Sequence, residues 1–599
     1  MSATENIDTG SVITFLVQVN NSKISYEERI LSIYIEKGIN RISTARIKLL
    51  DGDSTTGKFE ASSSSDLVPG AKISIQAGYE SKNKLIFKGI ITKQAIKIDK
   101  SIGSTLTLEC RDEAVKMIVG RKSLTFSKKT DSDIISSIIG KYSGLSSSVT
   151  STTTEWPEQV QYYATDWDYI LARSEANGLF VTTINGKITV QKPDAETSPV
   201  LKVVNGDNLL EFQADLNSVS QLKSAKANAW DYKTQEVISG EASNTHSGSG
   251  SSSSEDLAEV VDLSDFVLQT SASLQEDSLN NWAKAEMIKS EYSKIQGQVS
   301  FKGSNLVEPG KYFTIDGVGT RFNGNHLISS VTHDISNGNW VSEASFGLSP
   351  RWFTEEPDVM APSASGLLPG ACGLFNATVK KMYEDPDNQL RILIDIPLFD
   401  KSGEGLWARL SNFYSTSGAG AFFLPEVGDE VVIGFLNEDP RYPIILGSLY
   451  SSSKNKPFEG LTPDEKNTIK AIVSKSGINI KFDDENKVLT FTTPNNNMAT
   501  FSDKDKQISI QDENNNNIVM SSSGIVVKSD KDITVEATQN LTLKGDQGVT
   551  IESSTGDVSI SGMNVKVNAD TQYSVNGGEM AQINSGGELS INGTMVMIN

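Results

Sequence analysis

The sequence predicts a mainly β protein in successive parts: a strand-dominated α+β region over 1–355, a five-stranded barrel over 374–450, and a needle of three intertwined chains over 477–599. Three observations predict this. Short alternating segments recur through the first two parts. From Val519 to Ile591 every eighth residue but one is a branched aliphatic, a period that belongs to no α-helix. Gly, Asn, Asp and Ser, the turn formers, fill the spaces between. Stretches 356–373, with Pro357, Pro362, Pro369 and Gly370, and 451–476 read as linkers.

In the first part, alternation over 13–19, 30–35, 45–49, 72–77, 85–91 and 105–109 suggests antiparallel barrel strands. Thr165-Asp-Trp-Asp168 has the form of a capping box with Asp in place of Glu, so a helix should run over 169–177 and stop at Gly178 in a C′ position. A second helix over 277–293 has its apolar stripe in Leu279, Trp282, Ala283 and Met287. Strands resume at 298–301, 312–316, 326–334 and 340–346. The Ser-rich stretch 53–66 and the Gly/Ser-rich stretch 240–256 read as flexible surface excursions.

Five strands over 378–382, 390–396, 406–410, 430–435 and 444–449 are the number that closes a small Greek-key barrel of the OB type. OB barrels often bind oligonucleotides. Here a basic aromatic groove is missing, and the acidic runs 426–430 and Glu438–Asp439 point to a structural or docking role.

The needle columns are Val519, Val527, Val535, Leu543, Ile551, Ser559, Val567, Val575, Ile583 and Ile591, with a second set two residues earlier from Ile525 to Leu589 and on to Met597. Each unit thus holds one short strand with two aliphatics on one face. Both columns fail at Asp557 and Ser559, where Val558 and Ile560 sit one residue late, which reads as a one-residue bulge. Two aliphatics per strand cannot close a core in one chain, and eight residues are too few for a three-faced solenoid coil, which leaves a homotrimeric prism. Upstream the period is ten, with Ile478, Val488, Met498, Ile508 and Ile518 in one column and Ile480, Thr490, Thr500, Ile510 and Met520 in the other, read as the same design with longer turns. The competing readings are a disordered Asn/Ser tail, a single-chain β-helix polysaccharide-degrading enzyme with coils of twenty or more residues, and a trimeric adhesive fibre.

The net charge of −21, or −63 for three chains, argues against electrostatic binding of nucleic acid or an anionic membrane surface. Cys110 and Cys372 make no disulfide framework. The start, MSATENIDTG, has no basic or apolar signal segment, which predicts assembly in the cytoplasm without export by the general secretory route. His246, His326 and His333 lack Cys partners and ligand spacing; His326 and His333, seven apart, should face opposite sides of a sheet. Gly418-x-Gly420 lacks the third glycine of a phosphate cradle, SGSGSSSS lacks a strand-to-helix elbow, and the carboxylates over 483–485 read as a turn. No catalytic residue, cofactor or metal site is predicted.

The run FFLPEVGDEVVIGFLNEDPRYPIILGSLY, with Pro425, Val427, Gly428, Glu430, Val431, Phe435, Asp439, Pro440, Pro443, Ile444, Gly447 and Tyr450, resembles the OB-barrel signature of VgrG proteins, the central spikes of type VI secretion systems and their contractile-phage relatives. Trp407 precedes it within the barrel, YYATDWDYILARSEANGLF at 162–180 looks like the family's hub helix, and the octads are similar to a phage-spike triple-stranded β-helix. The resemblance implies a phage-hub-like first part, docking of the hub on an Hcp-like inner tube and baseplate proteins, and delivery by contraction to the extracellular space or a target cell. It also implies mechanical piercing of the target membrane and carriage of effectors. The 451–476 segment is too short for the lysozyme domain of some phage spikes, so a bare spike is expected. Type VI apparatus and extracellular injection particle stay open. Met595, Val596, Met597 and Ile598 form an apolar end, where the resemblance implies docking of a PAAR-like tip protein on 593–599.

Overall fold

The computed structural model describes residues 12–101, 103–194, 197–231, 233–244, 250–399, 404–459, 461 and 463–598. The MSATENIDTG start, His246 and Asn599 lie outside them. The chain divides into two compact units, Met1–Leu449 and Tyr450–Asn599.

Alternation of the kind seen in Thr44–Leu50, where Ala45, Ile47 and Leu49 point inward, builds one large sheet in the first unit. Its path runs Leu209–Leu216, Ile295–Lys302, Asn339–Phe346, Gly324–Ser336, Ile30–Gly38, Thr44–Leu50, Gly103–Arg111, Lys84–Asp99, Lys72–Tyr79, Ile13–Val19 and Ser22–Lys23. The sequence suggested barrels for these strands. The described pairings join them into a single path, in which the 13-residue strand Gly324–Ser336 pairs with Tyr312–Asp316, Asn339–Phe346 and Ile30–Gly38. Two apolar cores result, one around Ile33, Ile47, Ile75 and Leu108, the other around Val299, Phe301, Phe313 and Val331. Lys37 is 3% exposed on Ile30–Gly38, with Glu308 4.0 Å away; burial pulls its pKa down to about 8.

A third cluster surrounds helices Asp131–Ile139 and Asp166–Ala176. The sequence reading missed the first, although Thr130 and Asp133 complete a reciprocal capping box there. At Thr165 only half of the expected box forms: its Oγ1 accepts from the Asp168 amide at 3.0 Å. Gly178, at φ +67°, closes that helix in a Schellman turn, with Gly178 N–H donating to Glu175 O and Leu179 N–H to Ser174 O, both at 2.9 Å. Asp131, 1% exposed, is held by Arg173 at 2.8 and 2.9 Å, Asn177 at 2.9 Å and the Trp156 indole at 3.1 Å. The expected second helix runs Glu276–Ser293, with Leu279, Ala283 and Met287 buried.

In their described residues, which leave out 245–249, both excursions are more ordered than their composition suggested. Over 53–66, Asp51 accepts from Ala61 N–H at 3.0 Å and Ser62 N–H at 2.8 Å, which draws Ala61 fully into the core. In 240–256, Gly240 through Ser243 finish the strand Glu236–Ser243, and Ser253 caps the short helix Ser254–Ala258. The 356–373 segment is likewise a strap. Just ahead of it Trp352 Nε1 donates to Glu286 at 2.7 Å; Arg121 then binds the carbonyls of Asp358 and Met360 at 2.8 and 3.0 Å. Further on, Ser363 bonds Glu438, Ser365 Oγ accepts from Asn437 at 3.0 Å, and Ala371 N–H donates to Glu438 O at 2.8 Å.

Phe375–Lys381, Ile392–Asp395, Leu406–Leu410, Pro443–Ser448 and Glu430–Phe435 close a five-stranded barrel in that order, around Val379, Ile394, Ala408, Ile433 and Ile445. In the second unit, seven strands from Ile469–Val473 to Gly524–Lys528 form an antiparallel meander within one chain. Up to Lys528 each strand thus finds its ladder partners in its own chain. Turns of two to five residues, several with Lys487, Asn496, Lys506 and Asn515 at positive φ, fold each strand back on the one before. Within this sheet Ile480, Phe482, Leu489, Phe491, Ala499, Phe501, Ile508, Ile510, Ile518, Met520, Ile525 and Val527 share a face by register, and Val488, Thr490, Met498, Thr500 and Val519 share the other.

Candidate assembly surface

From residue 529 onward the chain changes character. No described residue there belongs to a strand ladder, and six-residue extended segments alternate with bends: 532–537, 540–545, 548–553, 557–562, 564–569, 572–577, 580–585 and 588–593. The second and fourth residue of every segment are the column positions. Val535, Leu543, Ile551, Val567, Val575, Ile583 and Ile591 hold the fourth, at 60–71% exposure in the single chain. Val527 lies instead in the meander, 55% exposed on its apolar face, and Val519 is on the opposite face, so these two do not continue the octad column.

The break at Asp557 and Ser559 is not a bulge within a strand. The bend 554–556 has one residue more than the usual two, and the bend at Met563 one fewer, so Val558 and Ile560 take the second and fourth places of an ordinary segment. Their exposures, 51% and 73%, follow those of the two columns. Sequence reasoning passed over this pair because it held the spacing constant; counting from each turn would have found them.

The apolar face of the meander is also open, with Phe482, Phe491 and Phe501 each more than 40% exposed beside a cavity of about 820 Å³ lined by Ile480, Ala499, Ile510, Ile518 and Ile533. Met595, Val596, Met597 and Ile598 are exposed at 78%, 51%, 80% and 90%. A Val or Leu side chain gains about 1.5–3 kcal/mol on full burial, so this surface leaves a large driving force for association unused in one chain.

The barrel residues singled out in the sequence sit at turns and seams. Pro425 is buried, Gly428 at φ +94° sends its N–H to Val379 O at 2.9 Å, and Glu430 opens a strand that ends at Phe435, itself packed on Phe375 and Phe399. Asp439 is gripped by Arg441 at 3.0 and 2.7 Å, which holds its carboxyl below the usual range, and Pro440 follows in the same turn. Pro443 starts the last strand, and Gly447 pairs with Val432 beside a bulge at Leu446. Gly418 and Gly420 belong to a hairpin, Ser415–Thr416 with Ala419–Gly420, flanked by exposed Phe413, Tyr414, Phe422 and Phe423.

His326 and His333 share the strand Gly324–Ser336, but a register shift between Ile328 and Ser330 breaks the alternation that would have set them on opposite faces, and both rings are buried. Burial lowers His326 to about 4 and His333 well below its usual value. Burial also pushes the Cys110 thiol up to about 12, while Cys372 is exposed. Among the described residues no group of three or more His, Cys, Asp or Glu could hold a metal ion, and no helix is long and apolar enough to cross a membrane. Asp483 accepts from Asn486 at 3.1 and 2.9 Å within a turn.

The chain is a mainly β protein with a closed five-stranded barrel, and residues 375–450 match the family described as the type VI secretion system/phage-baseplate injector OB domain. Residues 9–337, more than half of the sequence, match the Alg8 N-terminal domain, and the chain belongs to that family. Its curated relatives are VgrG spike proteins. It is 26% identical over 107 residues to the type VI secretion system spike protein VgrG1a of Pseudomonas aeruginosa, covering 18% of this chain and 17% of that one. It is 34% identical over 84 residues to VgrG3 of Vibrio cholerae, covering 13% and 8%. The match thus spans less than a fifth of either relative's length. Among solved structures it is similar to the 43 kDa tail protein of prophage MuSo2 from Shewanella oneidensis, at 10% identity and a TM-score of 0.44 over 56% of this chain and 98% of that one.

Proposed function

We propose that this chain is the structural hub and spike of a contractile injection machine, of the type VI secretion kind or of a related particle, and works as a parallel homotrimer. The observation that carries the reading is the run of eight extended segments, each with an apolar pair and none with a ladder partner in its own chain. Three copies supply both the missing backbone partners and the cover for the columns. In this reading the hub docks on the inner tube and baseplate, and the needle pierces the target membrane mechanically and carries effectors. The protein is assembled in the cytoplasm, delivered by contraction, and has no enzymatic role of its own. Similarity to VgrG spike proteins and the match of the barrel to the injector OB domain support it. Light scattering on the purified full chain is expected to return three times its 64.8 kDa mass; a stable particle of 64.8 kDa overturns the reading.

The exposed Met595, Val596, Met597 and Ile598 supply an adaptable apolar platform for a PAAR-like tip protein. Deleting 595–599 is expected to abolish capture of that protein in a pull-down while the trimer persists. Capture at the original level by an intact truncated trimer would place the tip contact elsewhere.

A further inference from the structure

The meander has one face that carries no charge over six successive strands. From Asn479–Asp483 to Gly524–Lys528 each strand sets two apolar side chains on it, Ala499 and Phe501 on the strand Met498–Ser502 among them, and none of these positions is Asp or Glu. The other face mixes Lys481, Thr490, Thr500, Ser509 and Gln511 with a few aliphatics. Phe482, Phe491 and Phe501 stay exposed on the apolar face in the single chain, a patch that soluble proteins cover. Each of these strands already has its ladder partners in its own chain, so the cover must come through side chains and not by exchange of strands.

Continuity identifies what covers it. The cavity of about 820 Å³ beside this face is lined also by Ile533, the second residue of the first octad segment. Face and columns are therefore one unbroken apolar surface, and whatever covers the columns reaches the face. Charge agrees with a second copy as the cover. Chains of net charge −21 repel one another, and they approach at least cost through a face free of carboxylates. Asp484, Glu485, Asp503, Asp505, Asp512 and Glu513 all lie in the turns at the margins of the sheet, where water can reach them. Met498–Ser502 is the middle strand of the seven, so in a ring of three such sheets it lies nearest the axis, and Ala499 is the smallest side chain on the face.

We propose that the apolar face of the meander packs against the same face of two further copies, three preformed sheets around one axis, with Ala499 and Phe501 at the centre. The inference rests on the homotrimer reading above and adds to it where, and in what manner, the upstream half of the second unit joins. Cross-linking of the full chain tests it, in a Cys372→Ser background that removes the exposed thiol and leaves Cys110 buried. Ala499→Cys and Thr500→Cys are introduced singly, neighbours on one strand and on opposite faces of it. Sheets packed face to face lie about 10 Å apart, a distance that a short bismaleimide spans. With that reagent the Ala499→Cys protein is expected to run mostly as linked chains on a denaturing gel, and the Thr500→Cys protein as single chains. Ile510→Cys, which pairs with Ala499 on the next strand, should link as Ala499→Cys does and serves if that variant fails to assemble. Light scattering on the same samples separates the two ideas. A trimer that yields only single chains from Ala499→Cys and Ile510→Cys, or equal linkage from Thr500→Cys, overturns this inference and leaves the homotrimer standing; a parent protein that is monomeric overturns both.

Discussion

Leu543→Asp is expected to abolish the trimer, while Thr542→Asp, one residue away, leaves it intact. Leu543 holds the fourth place of the segment 540–545, in the column, and Thr542 holds the third, which alternation sets on the other face. In three copies, the column substitution removes about 1.5–3 kcal/mol of apolar burial per chain. It also brings three carboxylates together inside the prism, where burial of each ion costs several kcal/mol more. Thr542→Asp places the same charge in water. Light scattering separates the two: monomers for the first and trimers for the second. Equal masses for the two variants would mean that the columns do not form the core.

Lys37→Met is expected to stabilise the first unit at neutral pH. A lysine whose folded pKa is about 8 binds its proton less tightly in the folded chain than in the unfolded one, where the value is about 10.4. Between those two values the unfolded chain holds more protons, so stability rises with pH across the window and the penalty is fully present below about 8. The difference corresponds to about 3 kcal/mol. Methionine has similar length and no charge, so the variant should gain stability of that order at pH 7, and its advantage should shrink as pH rises from 8 to 10.5. Urea unfolding of both proteins, followed by tryptophan fluorescence at several pH values, measures this. A variant less stable than the parent at pH 7, or a constant difference across the window, would show that the pairing with Glu308 outweighs burial.

The two halves of the second unit show which patterns a sequence displays openly. Octads repeat by translation, so their columns keep one spacing, and only the pair Val558 and Ile560 slips, because two turns differ in length. The meander repeats by reflection. Residues facing each other across a hairpin, such as Phe482 with Leu489 and Ile480 with Phe491, are seven and eleven apart, and a search for ten-residue columns mixes the two faces. Phe482, Leu489, Phe491 and Phe501 escaped for that reason.

Local physical chemistry set what could be read without coordinates. Strand alternation, the Gly178 helix stop, the five barrel strands and the octad period are all written in residues close together along the chain. The tertiary structure alone decided the rest. It paired Ile30–Gly38 with Gly324–Ser336, gathered Trp156, Arg173 and Asn177 on Asp131, and drew the 356–373 strap onto Arg121 and Glu438. Each of these joins residues tens to hundreds of positions apart, and their choice of partner depends on which surfaces the whole sheet and its helices bring together, a quantity that no local pattern of side chains encodes.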